Sequence, residues 1–244
     1  MTAMDSLFAK SKFYLIFILI NFIFFMSINA EAAYNFDKIR ITLSQNNPIQ
    51  TIVVSNPEKD EAVNLQLSYM LWKQVDGEDV YTPSKDLIIA PPIIKMPPLR
   101  NQITRIGWRA PKPIPVEIAY RLFVNDLTAY KLTPNVVRFK VKSSIPVFIQ
   151  PTKPIFQTQW QLKSAGGGVI KLLVKNTGNI HVQITGITLS NANNDIIANS
   201  KVFAYILAGQ SKEIPVTLSK PASGTIKINA NTDNGQIQRT VPVS

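Results

Sequence analysis

The sequence predicts an all-β chain of two tandem immunoglobulin-like β-sandwich domains. Three observations carry that prediction. Short apolar runs with period-two alternation recur through the chain, bounded by turn residues. Seventeen prolines punctuate them. No segment of useful length has the 3.6-residue period of an amphipathic helix. The strands follow in order. Residues 36–43 read as a first strand, ending at Ser44-Gln45-Asn46-Asn47-Pro48. Residues 50–54 form a second, closed by Ser55-Asn56-Pro57. Residues 63–72 alternate through Val63, Leu65, Leu67, Tyr69 and Leu71. Residues 87–94 are broken by Pro91-Pro92, which predicts an edge strand or a kink between sheets. Residues 102–108, 118–127 and a long strand ending at Pro151 complete about seven strands in about 115 residues, the density of an immunoglobulin-like sandwich.

Pro151 and Pro154 mark a linker, and the pattern then repeats. Strands are predicted at 158–163, 169–175, 180–189, 201–207, 211–218, 224–230 and 236–241, with Ala165-Gly166-Gly167-Gly168 as a hairpin turn. Asn234-Gly235 carries the residue pair of a type I′ hairpin. The division is residues 1–32 as a signal peptide, 33–151 as an N-terminal domain and 152–244 as a C-terminal domain.

The leader rests on Lys10 and Lys12 before a run from Phe13 to Met26 that is apolar except for Asn21. Ala30 and Ala32 supply a small-x-small cleavage pattern, and the cut is placed after Ala32. The run is about 14 residues, whereas a spanning helix needs about 20. The mature chain is therefore expected to be soluble and exported, without stable membrane insertion. It has no cysteine, so its cores must hold it without disulfides. Cleavage removes two lysines, one aspartate and one glutamate, and the net charge stays at +11. The cations are scattered, without an Arg/Lys run or an aromatic stacking motif, which argues against nucleic acid. A carboxylate or an acidic protein surface is the alternative partner, and plain solubility accounts for most of the individual lysines.

Catalytic chemistry finds no support. His181 is the only histidine. Alternation places it with Gln183 and Thr185, opposite Ile180, Val182 and Ile184, as a solvated surface residue. No second histidine or cysteine completes a zinc site, and there is no Gly-x-Ser-x-Gly. Glu58, Asp60 and Glu61 read as a solvated turn. Gly166 to Gly168 lack the Lys-Ser/Thr of a phosphate loop, and Asn191 to Asp195 lack the EF-hand spacing. No enzyme activity, cofactor or metal is expected.

Residues 135–151 are the most informative stretch. Val137, Phe139 and Val141 alternate with Arg138, Lys140 and Lys142, so apolar side chains take one face of a strand and cations the other. Such a strand can complete its own sheet or lend its apolar face to another protein.

Several segments resemble the periplasmic pilus-assembly chaperones of chaperone–usher systems, the PapD-like family. Phe36-Asp37-Lys38-Ile39-Arg40 with Ser55-Asn56 is similar to that family's first hairpin. Residues 87–98 with Gln102-Ile103-Thr104-Arg105-Ile106 are similar to its apolar-Pro-Pro segment and following strand. Ala119-Tyr120-Arg121-Leu122-Phe123 resembles its Tyr-Arg-x-Phe strand, and Pro146-Val147-Phe148-Ile149-Gln150-Pro151 resembles its closing motif. The resemblance covers the first mature domain; the second matches in architecture and length.

The resemblance implies a chaperone that stabilises pilus or fimbrial subunits by donor-strand complementation and delivers them to an outer-membrane usher. It implies Val137, Phe139 and Val141 as the donated side chains and Arg40 as a cation for the subunit's terminal carboxylate. Pro146 stands where the better-known branch has a second, lysine cation, and a proline carries neither charge nor N–H. Ser144-Ile145-Pro146-Val147-Phe148 is closer to the archaic branch. Arg121, Lys140 and Lys142 are the candidates for the second cation. Two other functions are considered. An exported structural or adhesive subunit would need an alternating apolar strand after the leader, and residues 33–38 are too short and polar. A carbohydrate-binding module would use Trp72, Trp108 and Trp160 as stacking platforms.

Overall fold

The computed structural model describes residues 34–129 and 142–243. Every element in them is a β-strand or a turn. The front half contains β1 (Asn35–Phe36), β2 (Ile41–Leu43), β3 (Ile49–Ser55), β4 (Val63–Val75), β5 (Glu78–Thr82), β6 (Leu87–Ala90), β7 (Ile93–Met96), β8 (Asn101–Trp108), β9 (Ile118–Asp126) and β10 (Ser143–Ile149). One sheet runs β1-β3-β8-β6; the other runs β2-β10-β9-β4-β5, with β7 added on β4. The rear half contains β11 (Thr158–Gly166), β12 (Val169–Asn176), β13 (Val182–Ser190), β14 (Ile196–Ile206), β15 (Ser211–Thr217), β16 (Thr225–Thr232) and β17 (Gly235–Pro242). Its sheets are β11-β12-β15 and β14-β13-β16-β17. No strand of one half pairs with a strand of the other. The two-sandwich prediction therefore stands.

Period-two burial builds each core. In β4, Val63, Leu65 and Leu67 are buried on the inner face while Gln66 is exposed. Leu172 and Val174 of β12 face Val182, Ile184 and Leu189 of β13 across the rear core. Two buried asparagines close the ends of strands. Asn56 donates through Nδ2 to the carbonyls of Glu61, Met96 and Pro97 and accepts from the Glu58 N–H. Asn176 does the same work in the rear half, on Ile180, Ile206 and Gly178.

Three expectations change, and the kink between sheets expected at Pro91-Pro92 is present. Residues 36–43 are two strands, because the chain crosses between sheets. β1 pairs antiparallel with β3, and β2 pairs parallel with β10. Asp37 anchors the crossing, its carboxylate accepting the Val53 N–H at 2.8 Å. Pro91-Pro92 also divides two sheets: β6 pairs with β8, and β7 with β4. An additional hairpin joins β4 to β5 through Asp76 (φ 52°) and Gly77 (φ 81°), the two left-handed residues of a type I′ turn. At the last hairpin Thr232 pairs with Gly235, so Asp233 and Asn234 are the central residues and only Gly235 (φ 99°) is left-handed. Asn234-Gly235 is thus not the centre of a type I′ turn.

Candidate functional site

Residues from Tyr34 onward form one contact unit, and its two sandwiches meet on the outer face of β4, β9 and β10. The burial pattern of β4 records this. It changes phase at Trp72 and Gln74, whose side chains leave the front core and point toward the rear sandwich. Trp72, Ala119 and Phe148 from the front pack with Tyr205 and Leu207 from the rear as a separate buried cluster. The Trp72 and Tyr205 rings meet edge-on at 5.3 Å. Gln74 imitates a strand partner: its amide nitrogen donates to Tyr205 O and its oxygen accepts from Leu207 N, both at 2.9 Å.

A chain of charged groups crosses this seam. His181 stacks on Phe148 with ring centroids 3.6 Å apart. Its Nδ1 lies 2.8 Å from Glu117 Oε1, which precedes β9. Its Nε2 lies 3.1 Å from Asp233 Oδ2, at ion-pair distance but without hydrogen-bond alignment. Asp233 in turn accepts from Arg40 Nη1 at 2.8 Å. Arg40 also donates to the side-chain oxygen of Gln183. Burial works against a charged His181, but the close Asp233 carboxylate and the hydrogen-bonded Glu117 carboxylate outweigh it, and the imidazole titrates above its ordinary value. Burial would raise the Asp233 carboxyl too. His181, the Gln183 N–H and Arg40 together hold it below the ordinary aspartate value instead.

His181 is therefore a buried seam residue, not a solvated one. Alternation identified its face correctly, with Gln183. That face is covered by the front sandwich at both positions and opens to solvent only at Thr185. One sign was available in the sequence: the strip His181, Gln183, Thr185 carries no formal charge, unlike the lysine-bearing outer faces elsewhere in the chain.

The proposed cations separate clearly. Arg40 sits just before β2, is part-buried, and already holds a carboxylate. Arg121, on β9, pairs across the sheet with Pro146. Its guanidinium lies 3.9 Å from the Trp72 ring centroid and 5.2 Å from that of Tyr205. Its Nε is buried without a hydrogen-bond partner, and no carboxylate pairs with it among the described residues. Arg40 approaches the same Tyr205 ring at 5.9 Å. The structure thus brings Arg40 and Arg121 to one aromatic cluster. Lys142 is exposed, its ammonium 5.2 Å over Phe123. Val137, Phe139, Lys140 and Val141 lie outside the described residues.

The tryptophans do not form a sugar platform. Trp72, Trp108 and Trp160 are only 2%, 7% and 7% exposed, so none offers a ring face to a glycan.

The family model described as the pili and flagellar-assembly chaperone, PapD N-terminal domain, matches residues 33–154. The chain belongs to this family. Its members are assembly chaperones, not enzymes. The fold extends the likeness beyond the matched region. A chain of the CsuC–CsuE chaperone–tip adhesion subunit complex, from the archaic chaperone–usher Csu pili of Acinetobacter baumannii, superposes with a TM-score of 0.64 at 19% identity, covering 87% of this chain and all of the other. The CupB2 chaperone of Pseudomonas aeruginosa gives 0.56 at 16%, covering 86% and 100%. The E. coli chaperone DraB gives 0.56 at 19%, covering 84% and 97%. These identities speak for the shared fold. No curated protein matches the chain.

Proposed function

We propose that this protein is an exported periplasmic chaperone of a chaperone–usher pathway, of the archaic kind. It captures pilus or fimbrial subunits by donating a strand and passes them to an outer-membrane usher. Family membership of the front sandwich carries the reading. In this account residues 1–32 are the leader, 33–151 the subunit-holding domain and 152–244 its buttress.

The local geometry supports strand donation. β10 pairs with β9 along its whole length but with β2 only over Val147 to Ile149. One backbone edge of Ser143 to Pro146 is left unpaired among the described residues. An open edge is a template for another chain. Residues 135–142 lead directly into it, and Val137, Phe139 and Val141 are the side chains we assign to the subunit's groove. Burying the three contributes about 5–9 kcal/mol before ordering costs. That protection stops an incomplete subunit from aggregating through its own exposed edge.

Arg121 is the cation we assign to the subunit's terminal carboxylate. It stands across the ladder from Pro146, where a lysine is missing, and no acidic partner pairs with it among the described residues. Arg40 contributes from the Asp233 side as a shared second cation.

The test is co-expression with a candidate subunit and measurement of soluble periplasmic subunit. Phe139→Asp and Arg121→Ala are each expected to fold and export normally and to lower subunit recovery severalfold. Lys175→Ala, on β12 in the rear sheet that does not contain β14, is the control. Undiminished recovery with Phe139→Asp would count against strand donation.

A further inference from the structure

β14 departs from a regular ladder beside the seam. Ile184 of β13 pairs with Ala204, but Gly186 pairs with Lys201, so Val202 and Phe203 together oppose Thr185 in a bulge; Val202 packs against the rear core and Phe203 is left outside it. Bulges re-aim side chains and cluster near functional sites. Here the re-aimed side chain is Phe203, which is 76% exposed. Its ring meets Tyr205 edge-on at 5.7 Å and makes no other ring contact among the described residues. Tyr205 is the ring that Arg121 approaches at 5.2 Å and Arg40 at 5.9 Å. Phe203 is thus the solvent-facing end of a row whose other end carries two guanidiniums.

A lone exposed phenylalanine is ordinary. One joined through a single ring to two arginines is amphipathic in a particular way: apolar at one end and cationic at the other. A chain terminus has the complementary character, an α-carboxylate next to side chains. Two or three residues of extended peptide, at ~3.3 Å each, span the two ring contacts. A bilayer surface would call for a broad cluster of cations, and Lys201 is the one lysine within two positions of Phe203 on its strand.

We infer that Phe203 is a specificity residue of the rear sandwich, packing against an apolar or aromatic side chain within the last three residues of the bound subunit. The inference rests on the carboxylate role given to Arg121 above. It adds a second criterion for a client: a free carboxylate alone is not enough, and the residues just before it are read as well. It also assigns the rear sandwich a direct part in recognition.

The experiment uses the full mature chain and fluorescein-labelled dodecapeptides of alternating Val and Thr, ending in a free carboxylate. Tyr, Leu or Ser is placed at each of the last three positions in turn, and every peptide is also made as the C-terminal amide. Anisotropy gives the affinities. The wild-type protein is expected to favour Tyr and Leu over Ser at one position by about tenfold. Phe203→Ser removes that preference and keeps the carboxylate-over-amide preference. Phe203→Tyr retains both. An undiminished side-chain preference in Phe203→Ser overturns the assignment and leaves the Arg121 anchor standing. A wild-type protein that binds acids and amides alike overturns the anchor and this inference with it, as does failure to bind any of the peptides. Phe203 is exposed, so the serine variant is expected to melt with the wild type.

Discussion

Replacing His181 with alanine probes the seam most directly. The imidazole is 7% exposed, Glu117 is 2% and Asp233 is 10%. Removing it leaves the Glu117 carboxylate buried with its side-chain partner gone, a loss of about 3–5 kcal/mol for a broken buried pair. The face-to-face contact with Phe148 adds about 1 kcal/mol. For a chain of this size about 4 kcal/mol lowers the melting temperature by on the order of 10 °C.

The deficit also has a definite pH dependence. The folded-state value of His181 is raised, so its contribution is complete below the ordinary value of 6.5 and drains away as pH climbs through the raised value. Asp233 runs the other way. Its folded-state value is lowered, so its contribution is present above the ordinary 3.8 and is lost only as pH falls through the lowered value. The seam is therefore strongest between about pH 4 and 6.5 and weakens toward alkaline pH. Calorimetric melts of wild type and His181→Ala at pH 5.5 and 8.5 measure this. A large gap at pH 5.5 that narrows at pH 8.5 is expected. His181→Phe with Glu117→Gln, an apolar ring over a neutral partner, should recover most of the loss and flatten the pH profile. A wild-type-like melt of His181→Ala at pH 5.5, or a deficit identical at both pH values, would refute the charged-seam account.

Other substitutions test the frame around it. Gly178→Ala would bring a Cβ to 2.2 Å from the Ile155 carbonyl oxygen and 2.8 Å from the Gln157 nitrogen; backbone on both sides cannot yield, and loss of soluble, folded protein is expected on gel filtration. Asn56→Ala strands three carbonyls and one N–H and should cost about 3 kcal/mol in urea unfolding. Gln74→Ala removes both bonds to the backbone at Tyr205 and Leu207, and a drop of about 2 kcal/mol is expected. Gly77→Ala forces a Cβ onto a φ of 81° and should cost about 1 kcal/mol in the same assay.

The fold was legible where patterns are local. Alternation located most strands within a residue or two, and Pro91-Pro92 marked the change of sheet because proline cannot sit in a central ladder. What escaped was set by distant partners. Asp76-Gly77 had the residue pair of a hairpin, but the alternation beyond Trp72 is obscured because Trp72 and Gln74 are buried by the rear sandwich. Asn234-Gly235 had the same kind of pair, yet the turn centres one residue earlier. There the Asp233 carboxylate faces Gln183 N–H, His181 and Arg40 at once. His181 was read from its own strand alone, and no period reveals which face another domain will cover. Of the site, Arg40 and Arg121 were named from the sequence. Tyr205, Glu117 and Asp233, which decide what those arginines can do, were not, because they lie up to about two hundred positions away.

Asn179 joins three stretches of chain. Its amide nitrogen donates to the carbonyls of Pro115 and Lys153, its side-chain oxygen accepts from Ile155 N–H, and its own carbonyl accepts from Glu117 N–H. These bonds tie the loop after β12, the lead into β9 and the linker into one joint and oppose swinging of the halves, so holding their angle costs a client less ordering entropy than a loose hinge would.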